Sequence, residues 1–210
     1  MEEVERIAQK GYIPTEADII WTGRRTTGIT ETQIDFKYSL TLTIFDASGQ
    51  RSERNKWLPS FENVESILFC VDLTSYDKFF GEESCQSRLM ETIVFFDSIV
   101  NSKWFKRTSI VLLFCNVSRF KQQIQHSPLC NYFPDYTGGD DASSASRYIL
   151  WRFNLVNRAN LRIYARFTEL LDGKTLAYCS AVSSRLSCKT RSQILVFFNR
   201  IGVQTRTGRC

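Results

Sequence analysis

An acidic residue and a glycine-containing run follow the most regular strand pattern of this chain. Leu40, Leu42 and Ile44 alternate with polar residues, which predicts a half-buried strand ending on Asp46. Open α/β sheets bind their ligands beyond the carboxyl ends of the strands. Asp46 and the run that it opens, D-A-S-G-Q-R-S-E-R-N-K-W (46–57), are therefore candidates for ligand chemistry. The alternative is a strand followed by a turn and a solvated, charged helix.

Other segments stand in a characteristic order around this run. They are T-T-G-I (26–29), L-F-C-V-D-L-T-S-Y-D (68–77) and N-S-K-W-F (101–105). With them, residues 4–168 resemble the α subunit of heterotrimeric G proteins, of the fungal kind. The resemblance implies an α/β fold with a Ras-like, doubly wound and mostly parallel sheet. It also implies that the protein binds GTP and GDP with Mg²⁺ and hydrolyses GTP.

The resemblance also assigns roles to single residues, and these roles belong to the family rather than to any local pattern. Thr26 and Asp46 fall where the family holds Mg²⁺. A hydroxyl and a carboxylate suit this cation because it prefers hard oxygen ligands. Gly49 falls on the glycine whose amide contacts the γ-phosphate, and Gln50 on the catalytic residue that orients the attacking water.

Two positions depart from the family pattern in ways that weaken nucleotide chemistry. The guanine-reading motif N-K-x-D falls on C-N-V-S (115–118), which leaves Asn116 and Ser118 as the base-contacting residues. At position 118 a hydroxyl thus replaces a carboxylate, and a charge-assisted contact to the base is lost. The family's cis arginine falls on Gly23, with Arg24 and Arg25 displaced along the chain. We expect GTP binding and hydrolysis to be impaired.

No phosphate-binding loop of the form G-x-x-x-x-G-K-[ST] occurs in the 210 residues. The isolated G-K-T at 173–175 lacks the preceding glycine at the required distance. The expected organisation is the end of a helical insertion domain with a linker (1–18), a partial GTPase domain (19–168) and a divergent segment (169–210). The sheet is expected to lack its first strand.

The charged run after Gln50 is predicted to be a partner surface. The residues that carry this prediction are Arg51, Arg54, Lys56 and Trp57, which match the segment that the family packs on the βγ dimer. A tryptophan flanked by arginines is typical of an interface anchor. A solvated helix with one half-buried tryptophan is the alternative. A receptor and an effector are further partners that the resemblance implies.

Composition excludes several other classes of protein. The net charge is +5 without a basic stripe, so no nucleic-acid partner is expected. The seven cysteines are irregularly spaced, which favours reduced thiols over a metal site or disulfides. No apolar run reaches 18 residues, so no membrane span is expected. The predicted location is the cytoplasm, with attachment to the inner face of the plasma membrane only through partners.

Local patterns predict the remaining elements. Strands are expected at 33–38, 39–46, 66–73, 109–115 and 163–167, helices at 86–101 and 148–156, a surface loop at 126–146 and a closing helix at 193–201. Three interpretations of function remain open. The chain is a G-protein signal transducer with impaired GTP chemistry, a non-enzymatic module that keeps the 51–57 surface, or a gene fragment that never folds.

Overall fold

The computed structural model describes residues 2–15, 18, 28–36, 40–47, 61, 64–79, 86–169 and 191–198. Within them are four helices: α1 (Glu2–Ile7), α2 (Arg88–Val100), α3 (Val117–Gln123) and α4 (Ala142–Leu155). Six strands accompany them: β1 (Ile29–Phe36), β2 (Leu40–Ala47), β3 (Ser66–Asp72), β4 (Ser109–Cys115), β5 (Ile163–Phe167) and β6 (Arg191–Phe198). Single 3₁₀ turns occur at Leu73–Ser75, Lys103–Phe105 and Leu129–Asn131.

The chain divides into two compact units, of which the smaller comprises residues 1–25 and 202–210. Helix α1 belongs to it, as the apolar positions near the amino terminus predict. Arg6 donates two hydrogen bonds to the carboxylate of Asp18, at 2.6 and 3.0 Å. The backbone N–H and hydroxyl of Thr15 also donate to this carboxylate. Arg6 first, then Thr15, holds the pKa of Asp18 well below its usual range.

The larger unit, residues 26–201, is built on one six-stranded sheet of order β1-β2-β6-β3-β4-β5. β1 runs antiparallel to β2, and each of the other neighbouring pairs is parallel. In the described part of the chain, helices connect β3 to β4 and β4 to β5, as βαβ units require. The predicted α/β class with a mixed, mostly parallel sheet is confirmed. The place between β2 and β3 is taken by β6.

Strands β3 and β4 are buried on both faces, which explains their nearly continuous apolar sequences. On one face Phe69 packs against Phe96 of α2, with ring centroids 5.1 Å apart. Helix α2 begins after Ser87, whose hydroxyl accepts a hydrogen bond from the N–H of Met90. On the opposite face Cys70 joins a smaller apolar cluster formed mainly by β4. The central sheet is thus anchored by two apolar layers.

The predicted closing helix at 193–201 is wrong over its described part, because residues 191–198 form β6. Four consecutive apolar side chains, Ile194 to Phe197, are all buried. A helix on the surface of the sheet would leave part of such a run exposed, whereas a central strand is buried on both faces. A short apolar run does not distinguish the two structures by its periodicity.

The predicted surface loop at 126–146 is also wrong in part. Leu129 and Phe133 are buried in the main apolar core, and α4 begins at Ala142 rather than near Tyr148. Asp141 caps α4 by accepting hydrogen bonds from the N–H groups of residues 143 and 144. Strand β1 begins at Ile29, earlier than predicted, and α3 was not predicted at all.

Candidate functional site

Polar residues stand at the carboxyl ends of four parallel strands. Asp46 lies near the end of β2, Asp72 ends β3, Asn116 follows β4 and Glu169 follows β5 by two residues. Parallel strands bring their carboxyl ends to the same edge of a sheet, so these four side chains share one edge. That edge is where open α/β sheets bind ligands. Of the four, only Asp46 and Asn116 were predicted site residues.

Asp72 is the centre of a hydrogen-bond network that joins the ends of β3 and β4. Its Oδ1 accepts hydrogen bonds from the N–H and hydroxyl of Thr74, at 3.0 and 2.8 Å, and from Nδ2 of Asn116 at 2.9 Å. Lys78 adds a positive charge, with Nζ 3.9 Å from the other carboxylate oxygen. The signal in the sequence was available, because Asp72, like Asp46, is an acid at the end of an apolar strand.

Asn116 adopts a left-handed backbone conformation, with φ of 63° and ψ of 40°. Asparagine is one of the few residues that tolerate this conformation readily. The conformation accompanies an unusual role for an N-cap residue, since its side chain does not cap α3. The amide instead reaches the neighbouring strand end and donates to Asp72. The predicted base-contacting residue is therefore held in place by the adjacent loop.

Ser118 lies in the first turn of α3, and its backbone N–H donates a 2.7 Å hydrogen bond to Oε1 of Glu169. A carboxylate at this position satisfies one of the N–H groups that a helix start leaves without an intrahelical partner. Glu169 lies 51 residues away in sequence, so no local pattern identifies the pair. The loops after β4 and β5 are connected in this way, as those after β3 and β4 are connected by Asp72.

Asp46 lies opposite Thr30 of β1 and Val196 of β6, on a half-buried part of β2. Its Oδ1 is buried. Within the described parts of the chain, no three His, Cys, Asp or Glu side chains cluster as a metal site. Mg²⁺ is commonly held by one or two protein oxygens together with substrate phosphates. The oxygen donors of Asp46 fit that arrangement, in which Asp46 would be one protein ligand.

The other predicted site residues lie outside the described residues. They are Thr26, Gly49 and Gln50 of the nucleotide site, Gly23 with its neighbouring arginines, and Arg51, Arg54, Lys56 and Trp57 of the partner surface. Their roles stay predictions.

A shallow groove of about 540 Å³ opens beside the Asp72 network. Lys78 and Arg119 bring positive charge to its walls, Asp77 brings a negative charge, and His126 also lines it. Gln123 connects the groove to the strand edge, because its amide donates to the backbone oxygen of Thr74 at 3.2 Å. The groove is therefore continuous with the polar edge of the sheet.

Comparison with known proteins places this edge in a family context. A model of the G-protein alpha subunit matches residues 1–184, most of the chain. The chain belongs to the G-protein alpha subunit family. In this Gα chain, Asp46, Asp72, Asn116 and Glu169 at the carboxyl edge of the sheet all lie inside the matched range.

Fungal proteins are among the relatives of this Gα chain. It is 53% identical over 171 residues to the guanine nucleotide-binding protein alpha-3 subunit of Neurospora crassa, covering 81% of the chain and 48% of the relative. It is 49% identical over 171 residues to an alpha-2 subunit of Kluyveromyces lactis, covering 81% of the chain and 31% of the relative. The chain thus spans half or less of these relatives' length. Among the described residues, no helix is long and apolar enough to span a membrane.

Proposed function

We propose that this Gα chain is a guanine-nucleotide-dependent signal transducer in which GTP binding and hydrolysis are impaired. The observation that carries this proposal is the polar edge formed by Asp46, Asp72 and Asn116, in which the residue at position 118 is a serine. The edge keeps groups suited to a nucleotide and its cation. It offers a weaker set of contacts to the base.

Impaired base recognition is supported by the contacts of Asn116 and Ser118. The amide of Asn116 donates to Asp72, and the N–H of Ser118 donates to Glu169. The hydroxyl of Ser118 has no negative charge with which to accept from the guanine N1 and N2 protons. Hydrogen bonds to charged groups contribute roughly 1.5–3 kcal/mol, so the affinity for guanine should fall by about tenfold or more.

The phosphate side of the site would use Thr26 and Asp46 for Mg²⁺, and Gly49 for the γ-phosphate. Mg²⁺ would supply neutralising charge to the phosphates. Gln50 would orient the attacking water, while Gly23 offers no guanidinium to the transition state. In the family, an arginine at the position of Gly23 raises the rate of GTP turnover about 10³-fold or more.

Equilibrium binding of a fluorescent GTP analogue tests this function. The 210-residue chain should show no saturable binding at micromolar concentrations, because base and phosphate contacts are both reduced. In Ser118→Asp, the residual affinity measured at higher analogue concentrations should increase by about tenfold. Ser98→Asp, at an exposed position on α2, is the matched control and should leave that affinity unchanged. Saturable micromolar binding that GTP, but not ATP, displaces would contradict the proposal.

A second function is favoured by the place of β6 in the sequence and in the sheet. β6 lies beyond the family match, yet it completes the sheet. A chain in which β6 joins the two groups of strands is able to act as an interaction module without nucleotide. The interaction surface of this module would consist of Arg51, Arg54, Lys56 and Trp57. Its partner would be a βγ dimer, with a receptor and an effector as further partners, and its location the cytoplasm or, through partners, the inner face of the plasma membrane.

Capture of a βγ dimer on immobilised chain tests the module. Trp57→Ala should weaken capture by about 2 kcal/mol or more if this tryptophan is an interface anchor. The matched control is Trp151→Ala, which removes an exposed tryptophan from α4. Equal capture by the unmodified chain and Trp57→Ala would show that the segment contributes no anchor.

A further inference from the structure

Strand β6 connects two groups of strands that do not pair with each other directly. In the described sheet, β2 pairs with β1 and β6, while β3 pairs with β4 and β6. Residues 191–196 run parallel to 41–46 of β2, and residues 194–198 run parallel to 66–70 of β3. Without β6, both groups would present an edge of unsatisfied backbone N–H and C=O groups to each other.

The side chains of β6 complete both apolar layers. Leu195 and Phe197 are fully buried in the main core, where the ring of Phe197 lies 5.4 Å from that of Phe95. Ile194 and Val196 point to the opposite face and pack with Leu42 of β2. β6 therefore makes apolar contacts on both faces and pairs with a neighbouring strand along each edge.

β6 lies in the middle of the sheet, although its residues follow the part of the chain that matches the family. The family match ends at residue 184, before β6 begins. The matched part supplies β1 to β5 and leaves a gap for one parallel strand between β2 and β3. The chain covers 48% and 31% of the two relatives named above, so both are longer than the part that matches.

We propose that the gap between β2 and β3 is a strand-binding slot, and that β6, which lies beyond the family match, fills it. The ligand of this slot is a parallel, extended segment with four consecutive apolar residues. The proposal rests on family membership and sheet topology, and it does not require nucleotide binding. It explains how the residues that match the family obtain a continuous core.

The slot should tolerate a charged side chain at some positions of the strand that fills it and reject it at others. Leu195 has no exposed surface, so a carboxylate there would be buried without a charged partner at considerable cost. Gln193 is exposed, although its backbone oxygen accepts a 3.2 Å hydrogen bond from Glu65. An acidic side chain at 193 therefore leaves the strand compatible with the slot. The two positions form a matched pair for a test.

The test uses the full chain with a specific protease site inserted after residue 184. The chain is folded, cleaved and analysed by size-exclusion chromatography, where the fragment carrying β6 should co-elute with residues 1–184. The cleaved protein is then unfolded in urea and refolded with excess fluorescent peptide of residues 189–200. The unmodified and Gln193→Asp peptides should be incorporated, whereas Leu195→Asp should bind at least about tenfold more weakly.

Separation of the two fragments directly after cleavage would overturn the proposal. Equal incorporation of the Leu195→Asp and Gln193→Asp peptides, or incorporation of none of the three, would also overturn it. A mass of two chains for the uncleaved protein in light scattering would assign the slot to the strand of a second copy and reject the intramolecular arrangement. These measurements involve no nucleotide, so they stand apart from the tests of GTP binding.

Discussion

The three strands β3, β4 and β5 and the hairpin of β1 and β2 obtain their stability in different ways. In the three-strand group, Ile67, Phe69 and Ile110 have no exposed surface, and helices intervene between the strands. The described side chains of β1 are exposed, including Ile29 and Ile34. β1 is therefore held chiefly by its backbone pairing with β2.

This difference shows why β3 and β4 are recognisable in the sequence as continuous apolar runs. Strands buried on both faces must be apolar throughout, and their ends must carry the polar groups that meet ligands or connect loops. An exposed edge strand is under weaker packing constraints, and charged or polar residues on it help prevent pairing with other chains. Glu31 and Asp35 of β1 have this character.

The largest expected contrast is in core packing. Phe69→Ala should lower the free energy of unfolding by about 3–5 kcal/mol, because a buried ring in contact with Phe95 and Phe96 is replaced by a cavity. Ile34→Ala on β1 should lower it by less than about 1 kcal/mol. Urea denaturation followed by far-UV circular dichroism measures both. Similar losses for the two variants would show that the hairpin contributes as much buried packing as the three-strand group.

A smaller contrast concerns hydrogen bonds between adjacent elements. Asn116→Ala should lower the free energy of unfolding by about 1.5–3 kcal/mol, because the hydrogen bond to Asp72 is lost and alanine disfavours the left-handed backbone. Asn116→Gly should cost less, since glycine adopts that backbone freely. In the hairpin, Thr41→Ala removes an exposed hydrogen bond to Asp35 and should cost less than about 0.5 kcal/mol.

The same denaturation assay resolves these values. Equal destabilisation by Asn116→Ala and Asn116→Gly would show that backbone strain contributes nothing at this position. An effect of Thr41→Ala as large as that of Asn116→Ala would remove the contrast between the strand ends of the core and the hairpin.

An effect smaller than that of Asn116→Ala is expected at neutral pH at Tyr76, a buried residue that follows β3. Its hydroxyl donates a 2.5 Å hydrogen bond to the backbone oxygen of Ser127, so Tyr76→Phe should cost about 1 kcal/mol. Burial, followed by the nearby charge of Asp77, raises the pKa of Tyr76 to about 12 from its ordinary value of 10. Its contribution to stability is therefore complete below pH 10 and is lost as the pH rises through 12.

The difference in unfolding free energy between the unmodified protein and Tyr76→Phe, measured from pH 8 to 12, tests this prediction. The difference should shrink as the pH rises, because only the unmodified protein loses the contribution. A difference that stays constant over this range would contradict a raised pKa in the folded state. Tyr12 and Tyr136 also have raised pKa values, but both proteins contain them, so their contributions cancel in the difference.

Sequence patterns were sufficient for elements with an uninterrupted apolar run or a clear helical period. The strands at 66–72, 109–115 and 163–167 and the helix at 88–100 were predicted within two residues. The helix α4 was placed too late because its start depends on the cap by Asp141, while the apolar contacts of Leu129 and Phe133 that shape the preceding segment are long-range. Asp46 and Asn116 were identified as site residues through the family resemblance. Asp72 was missed although it ends an apolar strand as Asp46 does, and Glu169 was missed because its partner, the N–H of Ser118, lies 51 residues away in sequence.

The sequence by itself determined the family, the α/β class and the polar residues at the ends of the apolar strands, because these follow from residue order and two-residue or helical periodicity. Only the tertiary structure decided that Asn116 is bonded to Asp72 and that Ser118 is bonded to Glu169. It also decided that residues 191–198 form a central strand. A run such as Ile194 to Phe197 is compatible with a helix or a strand, and the unpaired edges of β2 and β3 select the strand, because buried backbone groups must be hydrogen-bonded.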